Sequence, residues 1–170
     1  MKILVLSDSH SSLRFMYDCV DTVKPDVIIH LGDHYDDGEV LQKDYPGVRF
    51  YRVPGNCDRL FAISYAPEVI CCDISGVKFF MTHGHCHGVK SSTSRLIADA
   101  VKAGAQIALY GHTHEAECSQ EGDLWVFNPG SCRGYGGSAG LIEIEDKKIS
   151  SCRILRQEDI AELATINNRR

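Results

Sequence analysis

Asp8 and His10 in SDSH, Asp33 in LGD, Asn56 in GNCD, His83 in HGH, and His112 with His114 in GHTH form five short clusters of oxygen and nitrogen donors. Together they make up a ligand set for two divalent metal ions. In each doublet one residue separates the ligands, and side chains at i and i+2 of an extended segment point the same way, so each doublet can close on one ion. Serine, threonine or glycine lies between or beside the ligands, which lets the backbone turn sharply where a left-handed conformation is needed. Taken singly, most clusters have a plain structural explanation. Asp-x-His suits a surface loop, Asp33 after Gly32 a turn or a helix cap, Gly55-Asn56 a turn, and His83 a packed strand histidine. GHTH is more specific to metal, and agreement among five clusters in one chain makes the metal reading the stronger one.

The elements that must position these residues are visible in the apolar pattern. Lys2 to Leu6 reads as a buried strand, and Ser11 or Ser12 can cap a helix that runs to about Val23 and stops at Lys24-Pro25. Asp26 to Leu31 is a second strand, Asp37 to Asp44 a short helix, and Val48 to Val53 a third strand ending at Pro54-Gly55. Strand, helix and strand in succession imply parallel pairing. Val69 to Ile74 and Val77 to Thr82 flank Ser75-Gly76 as a hairpin, and Ser91 to Ala103 is an amphipathic helix ended by Gly104. Gln106 to Tyr110 leads into GHTH. The remainder reads as a meander of Glu115–Gln120, Leu124–Phe127, Gly140–Glu145 and Lys148–Leu155, with a Gly-rich stretch from Gly134 to Gly140 that is expected to be mobile. A short helix over Gln157–Thr165 follows. In this scheme Asp8, Asp33, Asn56, His83 and His112 all fall just after strands, at carboxyl ends, where α/β sheets place ligand crevices.

Composition bounds the function. At 170 residues the chain suits one domain, assigned to 1–156 with a C-terminal helix and tail over 157–170. A net charge of -5, with no basic run beyond Arg169-Arg170, argues against a nucleic-acid partner and for a small phosphorylated substrate. KILVLSD lacks the layout of a signal peptide and no apolar run reaches membrane length, so the expected location is the cytoplasm, with no membrane partner. Eight scattered cysteines without a CxxC pair oppose disulfides and a thiolate zinc site, and most are expected to be reduced and buried.

The ordered blocks D-x-H, GD, GN, H and GHxH, joined by NPGS at Asn128–Ser131, resemble the calcineurin-like metallophosphoesterases and, within them, the small bacterial and archaeal phosphodiesterase branch. That resemblance implies an α/β fold, a four-layer αββα sandwich of two mixed sheets flanked by helices. It also implies a division of labour: Asp8, His10 and His114 on a first metal, Asn56, His83 and His112 on a second, and Asp33 bridging them. Two such ions, about 3.5–4 Å apart, activate a shared hydroxide for in-line attack on a phosphoester. The thiolate-free donor set suits Mn²⁺, Fe²⁺, Zn²⁺, Ni²⁺ or Co²⁺ without choosing among them, and manganese is taken as the working expectation.

The chain departs from the wider pattern at Cys57. Many members read GNHD or GNHE, with the histidine placed to protonate the leaving group, whereas a thiol is a poor substitute. Either good leaving groups are favoured or the proton comes from His85 or a metal-bound water. Cys57 equally suits a small residue filling the turn. The expected catalytic set is Asp33, Asn56, His85, Cys57 and Asp58, the last as an acceptor that orients Asn56 or His85 or merely caps Arg59. Arg59 and Arg133 are candidate phosphate contacts, or solvated charges, and Pro129-Gly130-Ser131 offers amides or a tight turn. Of the other histidines, His30 reads as packed and bonded to backbone, His34 and His85 as neighbours of ligands, and His87 as exposed. Proteins of this fold, a retromer subunit among them, also serve as scaffolds with degraded metal sites, and a non-catalytic metal-binding module is the alternative function. A DNA-repair type of nuclease is disfavoured by the acidic charge. Exposed aliphatic edges leave a homo-oligomer open.

Overall fold

The computed structural model describes residues 1–58 and 66–167. Among the described residues ten strands form two five-stranded mixed sheets. β1 (Lys2–Leu6), β2 (Val27–His30), β3 (Arg49–Arg52), β9 (Ser138–Glu145) and β10 (Lys148–Arg156) make the first, in the order β10-β9-β1-β2-β3. β4 (Val69–Ile74), β5 (Val77–Thr82), β6 (Ile107–Leu109), β7 (Glu117–Glu121) and β8 (Leu124–Asn128) make the second, in the order β4-β5-β6-β8-β7. β1, β2 and β3 run parallel, as do β5, β6 and β8.

Strand alternation explains the layering. Ile3, Val5, Val27 and Ile29 point from the first sheet toward Phe79, Met81, Ile107 and Leu109 of the second, forming the central core. Leu4, Leu6 and Ile28 point the other way, onto α1 (Leu13–Val23), α2 (Tyr35–Asp44) and α4 (Gln157–Asn167), which supply Met16, Val20, Leu41 and Ile160. Phe80, Ala108 and Val126 meet Leu96 and Ala100 of α3 (Ser94–Lys102) on the outer face of the second sheet. Nearly every residue of β1 and β2 is therefore apolar, as strands covered on both faces require. The layers are helix, sheet, sheet and helix, as expected.

The first helix and the hairpin end at the expected stop and turn residues. Lys24 closes α1 in the left-handed conformation, its N–H donating to Val20 O at 2.8 Å. Ser75 and Gly76, at φ 56° and 84°, make the β4–β5 turn. Ser12 precedes α1 but makes no side-chain cap.

The expected meander is not one. β7 and β8 pair on the second sheet, whereas β9 leaves for the first and lies antiparallel to β1. NPGS is accordingly a crossing between sheets. The Gly-rich stretch also resolves differently, because Ser138, Ala139 and Gly140 are buried in β9. Gly140 is there for space: a Cβ would lie 2.3 Å from the Phe127 ring. Of the eight free cysteines only Cys19 and Cys132 are buried. Cys71 on β4 and Cys118 on β7 are exposed because both strands are sheet edges. His87, expected in solvent, has only 8% of its side chain exposed. A 3-10 turn over His85–His87 folds it edge-on against Phe80, with ring centroids 5.8 Å apart. Among the described residues no helix is long and apolar enough to cross a membrane.

Candidate metal centre

All seven candidate ligands gather where the two sets of parallel strands end. Asp8 and His10 follow β1, Asp33 follows β2, Asn56 follows β3, His83 follows β5, and His112 and His114 follow β6. Backbone hydrogen bonds sew these ends together, with Asp8 N donating to Gly32 O at 2.9 Å and Gly111 N to His83 O at 3.0 Å.

The loops reach their places by an unexpected route. Asp8, His10, Asp33, His112 and His114 themselves hold positive φ, from 44° to 69°. The doublets are thus not extended, and GHTH does not close on one ion: its two rings face different groups. Side chains other than glycine adopt this conformation at a cost of about 1–2 kcal/mol each, which the surrounding bonds must offset. The glycines serve close approach, and Gly32 at φ 94° also holds a left-handed backbone. A Cβ on Gly111 would lie 2.0 Å from Ser7 Oγ, and one on Gly32 2.4 Å from Gly55 N.

Two groups of donor atoms result. In the first, Asp8, His10, Asp33 and His114 each offer an atom within 4.8 Å of all the others. In the second, His83 Nε2 lies 3.2 Å from Asn56 Oδ1 and 3.2 Å from His112 Nδ1. Asp33 stands between them, with Oδ2 3.8 Å from His10 Nε2 and Oδ1 3.5 Å from His83 Nε2.

The protonation states suit cation binding. His83 Nδ1 is 2.7 Å from the Leu31 carbonyl, which can only accept, so Nδ1 carries a proton and Nε2 is the nitrogen that faces the site. Nε2 faces the Asn56 and Asp33 oxygens at 3.2 and 3.5 Å, a set of donors among which a cation can sit. Asp8 Oδ1 and His10 Nε2 are buried without a hydrogen-bond partner among the described residues, with His114 Nε2 3.1 Å from Asp8 Oδ1, and a cation among these donors would satisfy them. Asp8 Oδ2, by contrast, is held by the Ser7 hydroxyl and by His112 N. Burial lowers the pKa of His10, and burial with the facing His83 lowers that of His112 to about 4. Burial opposes charge on Asp33, yet His83 and the bonds from Cys57 outweigh it and hold its pKa below the usual carboxylate value. Neutral imidazoles around a charged carboxylate are the forms that bind a divalent ion. The residues present therefore fit such ions.

Cys57 has its own task here. Its N–H donates to Asp33 Oδ1 at 2.9 Å and its S–H to Asp33 Oδ2 at 3.3 Å. Burial and that carboxylate push the thiol pKa up to about 11. It is an anchor for Asp33. Asp58 does not orient Asn56 or His85. It is buried, and each of its oxygens accepts two backbone N–H groups: Oδ1 those of His34 and Tyr35 at 2.8 and 2.9 Å, Oδ2 those of Asp33 and Gly55 at 3.0 and 2.7 Å. One carboxylate thereby caps α2 and ties the Asp33 loop to the Asn56 loop. His85 stands beside the second group, its ring 5.3 Å from that of His83 and its Nε2 3.5 Å from Glu68. His34 is half exposed, with Nδ1 3.0 Å from Ser11 Oγ. Arg59 lies outside the described residues.

Asn128 is a positioning group that its motif does not announce. Buried at the end of β8, its Nδ2 donates to Gly111 O and to Thr113 Oγ1, clamping the GHTH loop, while Oδ1 accepts from Gly130 N. Ser131 Oγ donates to Asp8 O at 2.8 Å. NPGS therefore braces the SDSH and GHTH loops.

His30 bonds to backbone, as expected, through Gly32 N–H to Nδ1 at 3.3 Å, and also meets Ser9 Oγ through Nε2 at 3.1 Å. Ser9 in turn donates to Asp37. Burial lowers its pKa to about 4, despite Asp37, Asp58 and Asp8 nearby. A lowered folded-state value means stability is complete above the unfolded pKa of about 6.5 and is lost as pH falls toward 4. Urea unfolding at pH 6.5 and pH 5 should show a loss of about 1.5 kcal/mol from this residue. In His30→Gln the same pH step should cost that much less, and equal losses in the two proteins would show that His30 is not held neutral.

A family model described as the calcineurin-like phosphoesterase superfamily domain matches residues 1–147. A probable metallophosphoesterase of Bacillus subtilis is 32% identical over 136 residues, covering 78% of this chain and 76% of the relative. A phosphodiesterase of Methanocaldococcus jannaschii is 27% identical over 166 residues, covering 87% and 96%. Among solved structures, one described as a novel archaeal phosphodiesterase superposes with a TM-score of 0.66 at 26% identity, covering 92% of this chain and 99% of that one. A zinc-complexed Vps29 from Entamoeba histolytica shares the fold, with a TM-score of 0.72 at 20% identity over 92% and 98%.

Proposed function

The chain belongs to the calcineurin-like phosphoesterase superfamily, and on that footing we propose that it is a binuclear metal-dependent phosphodiesterase of small substrates. The observation that carries the reading is Asp33, whose two oxygens face two separate groups of donors. Divalent cations, manganese first, held by Asp8, His10 and His114 and by Asn56, His83 and His112 with Asp33 between, would supply an acidified water and Lewis acids for phosphoryl oxygens. The residues themselves do the positioning. Leu31 O fixes the His83 tautomer, Cys57 fixes Asp33, and Asp58 locks the loops that carry Asp33 and Asn56. With the Cys57 proton committed to Asp33, the leaving group is assigned to His85, which Glu68 flanks. The archaeal relative's name favours a diester, and a net charge of -5 favours a small substrate over nucleic acid.

The test is hydrolysis of an aryl phosphodiester, an alkyl phosphodiester and an aryl monoester by metal-stripped protein given Mn²⁺, Ni²⁺, Zn²⁺ or Mg²⁺ singly. Metal-dependent cleavage of the aryl diester, faster than that of the alkyl diester and lost in His112→Ala, is expected. No turnover with any metal, despite two bound ions, would transfer the assignment to a non-catalytic module.

A further inference from the structure

The metal groups are flanked by two open cavities that share Glu115 and Ala116 as a ridge. Their charges differ. The larger, about 710 Å³, has Lys90 against Glu115 and Glu117 in its wall. The other, about 490 Å³, has Arg133 and Arg156 against Glu115 alone, and its inner wall is His114 and Ser131. The second cavity is thus a local excess of positive charge in a chain of net charge -5. Neither guanidinium has an ion-pair partner among the described residues, whereas Arg14 and Arg52 each have one.

Both arginines are held from behind by their backbones. Arg133 N donates to Ser131 Oγ at 3.1 Å, and Ser131 Oγ donates to Asp8 O, so this side of the cavity is built directly on a metal-ligating loop. Arg156 N donates to Asp159 Oδ2 at 2.7 Å, fixing the junction of β10 and α4. Gly136 N, donating to Gln157 Oε1 at 3.4 Å, ties the Gly-rich loop to the same junction. A phosphodiester seated at the metals extends two ester arms, and an arm leaving past His114 enters this cavity. Guanidinium groups match the oxygens of phosphates and carboxylates, each such charged pair strengthening binding by on the order of tenfold or more.

We propose that the cavity between His114 and Arg156 is a subsite for a second anionic group, which Arg133 and Arg156 take up, so that the substrate class is a phosphodiester whose one arm carries a further phosphate or carboxylate. This rests on the phosphodiesterase reading for the chemistry at the metals. The cavity's affinity for an anion stands apart from it.

The test compares 4-nitrophenyl phosphodiesters whose second arm is ethyl, 2-carboxyethyl or 2-phosphatoethyl, with metal-loaded full-length protein. The wild type should show kcat/KM at least on the order of tenfold higher for an anionic arm than for ethyl, mainly through KM. Which anionic arm gains more tells phosphate from carboxylate. In the double variant R133Q/R156Q the ratio should fall to near one. A wild-type ratio near one, or a ratio that survives in the variant, overturns the subsite. In parallel, the zinc-loaded chain is titrated with methyl phosphate while the Gly136 and Gln157 amide signals are followed by NMR. Saturable shifts that disappear in the variant support the subsite, and their absence from the wild type refutes it. If no diester is hydrolysed with any metal, the phosphodiesterase reading falls while the titration still decides the subsite.

Discussion

Asp33→Ala should lower metal-dependent phosphodiester hydrolysis by at least about 10³-fold while leaving a folded protein. The size of the effect comes from position. Losing an outer-sphere contact at a metal site typically costs 10–100-fold, and Asp33 faces both donor groups at once, through Oδ2 toward His10 and Oδ1 toward His83. Alanine would leave the first group with Asp8, His10 and His114 and the second with Asn56, His83 and His112, with no anion between them. Asp33 brings negative charge to both groups, so its loss should weaken retention of metal as well as turnover. The fold should survive because Asp33 follows β2 in a loop and takes no part in the apolar layers. Its removal frees only the Cys57 N–H and S–H, an expense of about 1–3 kcal/mol. Circular dichroism and bound-metal analysis on the same sample separate the outcomes. A native spectrum with depleted metal and no turnover is expected. An unfolded product would mean that the ions hold the structure together, and undiminished turnover would remove Asp33 from the site.

What the sequence displayed and what it concealed divide along a physical line. The candidate ligands were legible because each cluster is local and follows an apolar run. A strand ending in Leu6 and followed by Ser-Asp-Ser-His announces a donor at a carboxyl edge without knowledge of the rest of the chain. The two-sheet layering was legible for the same reason, since β1 and β2 are apolar on both faces. The braces were not. Asp58 acts on the backbone of residues more than twenty positions earlier, and a backbone N–H carries no mark of residue type. Asn128 and Ser131 were noticed only as part of a motif because their partners, Gly111, Thr113 and Asp8, become neighbours only when β8 lies beside β6 and the chain crosses back to the first sheet. The meander failed on this crossing: consecutive strands with turn signals between them look alike whether they stay on one sheet or change to another. The backbone solution at the ligands was also unforeseeable from propensity, which assigns positive φ to glycine, whereas here Asp8, Asp33 and His112 adopt it and the adjoining glycines allow close approach of neighbouring loops.

That reliance on braces makes Asp58 the most consequential residue outside the ligand set. Asp58→Ala strips the acceptor from four backbone N–H groups in one step, those of Asp33, His34, Tyr35 and Gly55. A buried donor left unpaired costs about 1–3 kcal/mol, and because the four share one anion their losses are not additive, so a destabilisation of about 3–5 kcal/mol is expected. The start of α2 should suffer first, since His34 makes no side-chain cap of its own and Asp58 supplies the carboxylate at that end. The informative comparison is Asp58→Asn, which preserves size and one carbonyl oxygen. Both carboxylate oxygens are in use, two N–H groups on each, so whichever way the amide turns, its NH₂ confronts two donors. Asparagine should therefore recover less than half of the loss. This distinguishes an acceptor of four bonds from a residue that only fills space, for which asparagine would be almost neutral. Chemical denaturation of the metal-free proteins gives the stability order, and the metal affinity of each variant reports the Asp33 and Asn56 loops. Full stability in Asp58→Asn would contradict the four-bond assignment. Lost stability with unchanged metal affinity would show that the two loops hold their places without this tie.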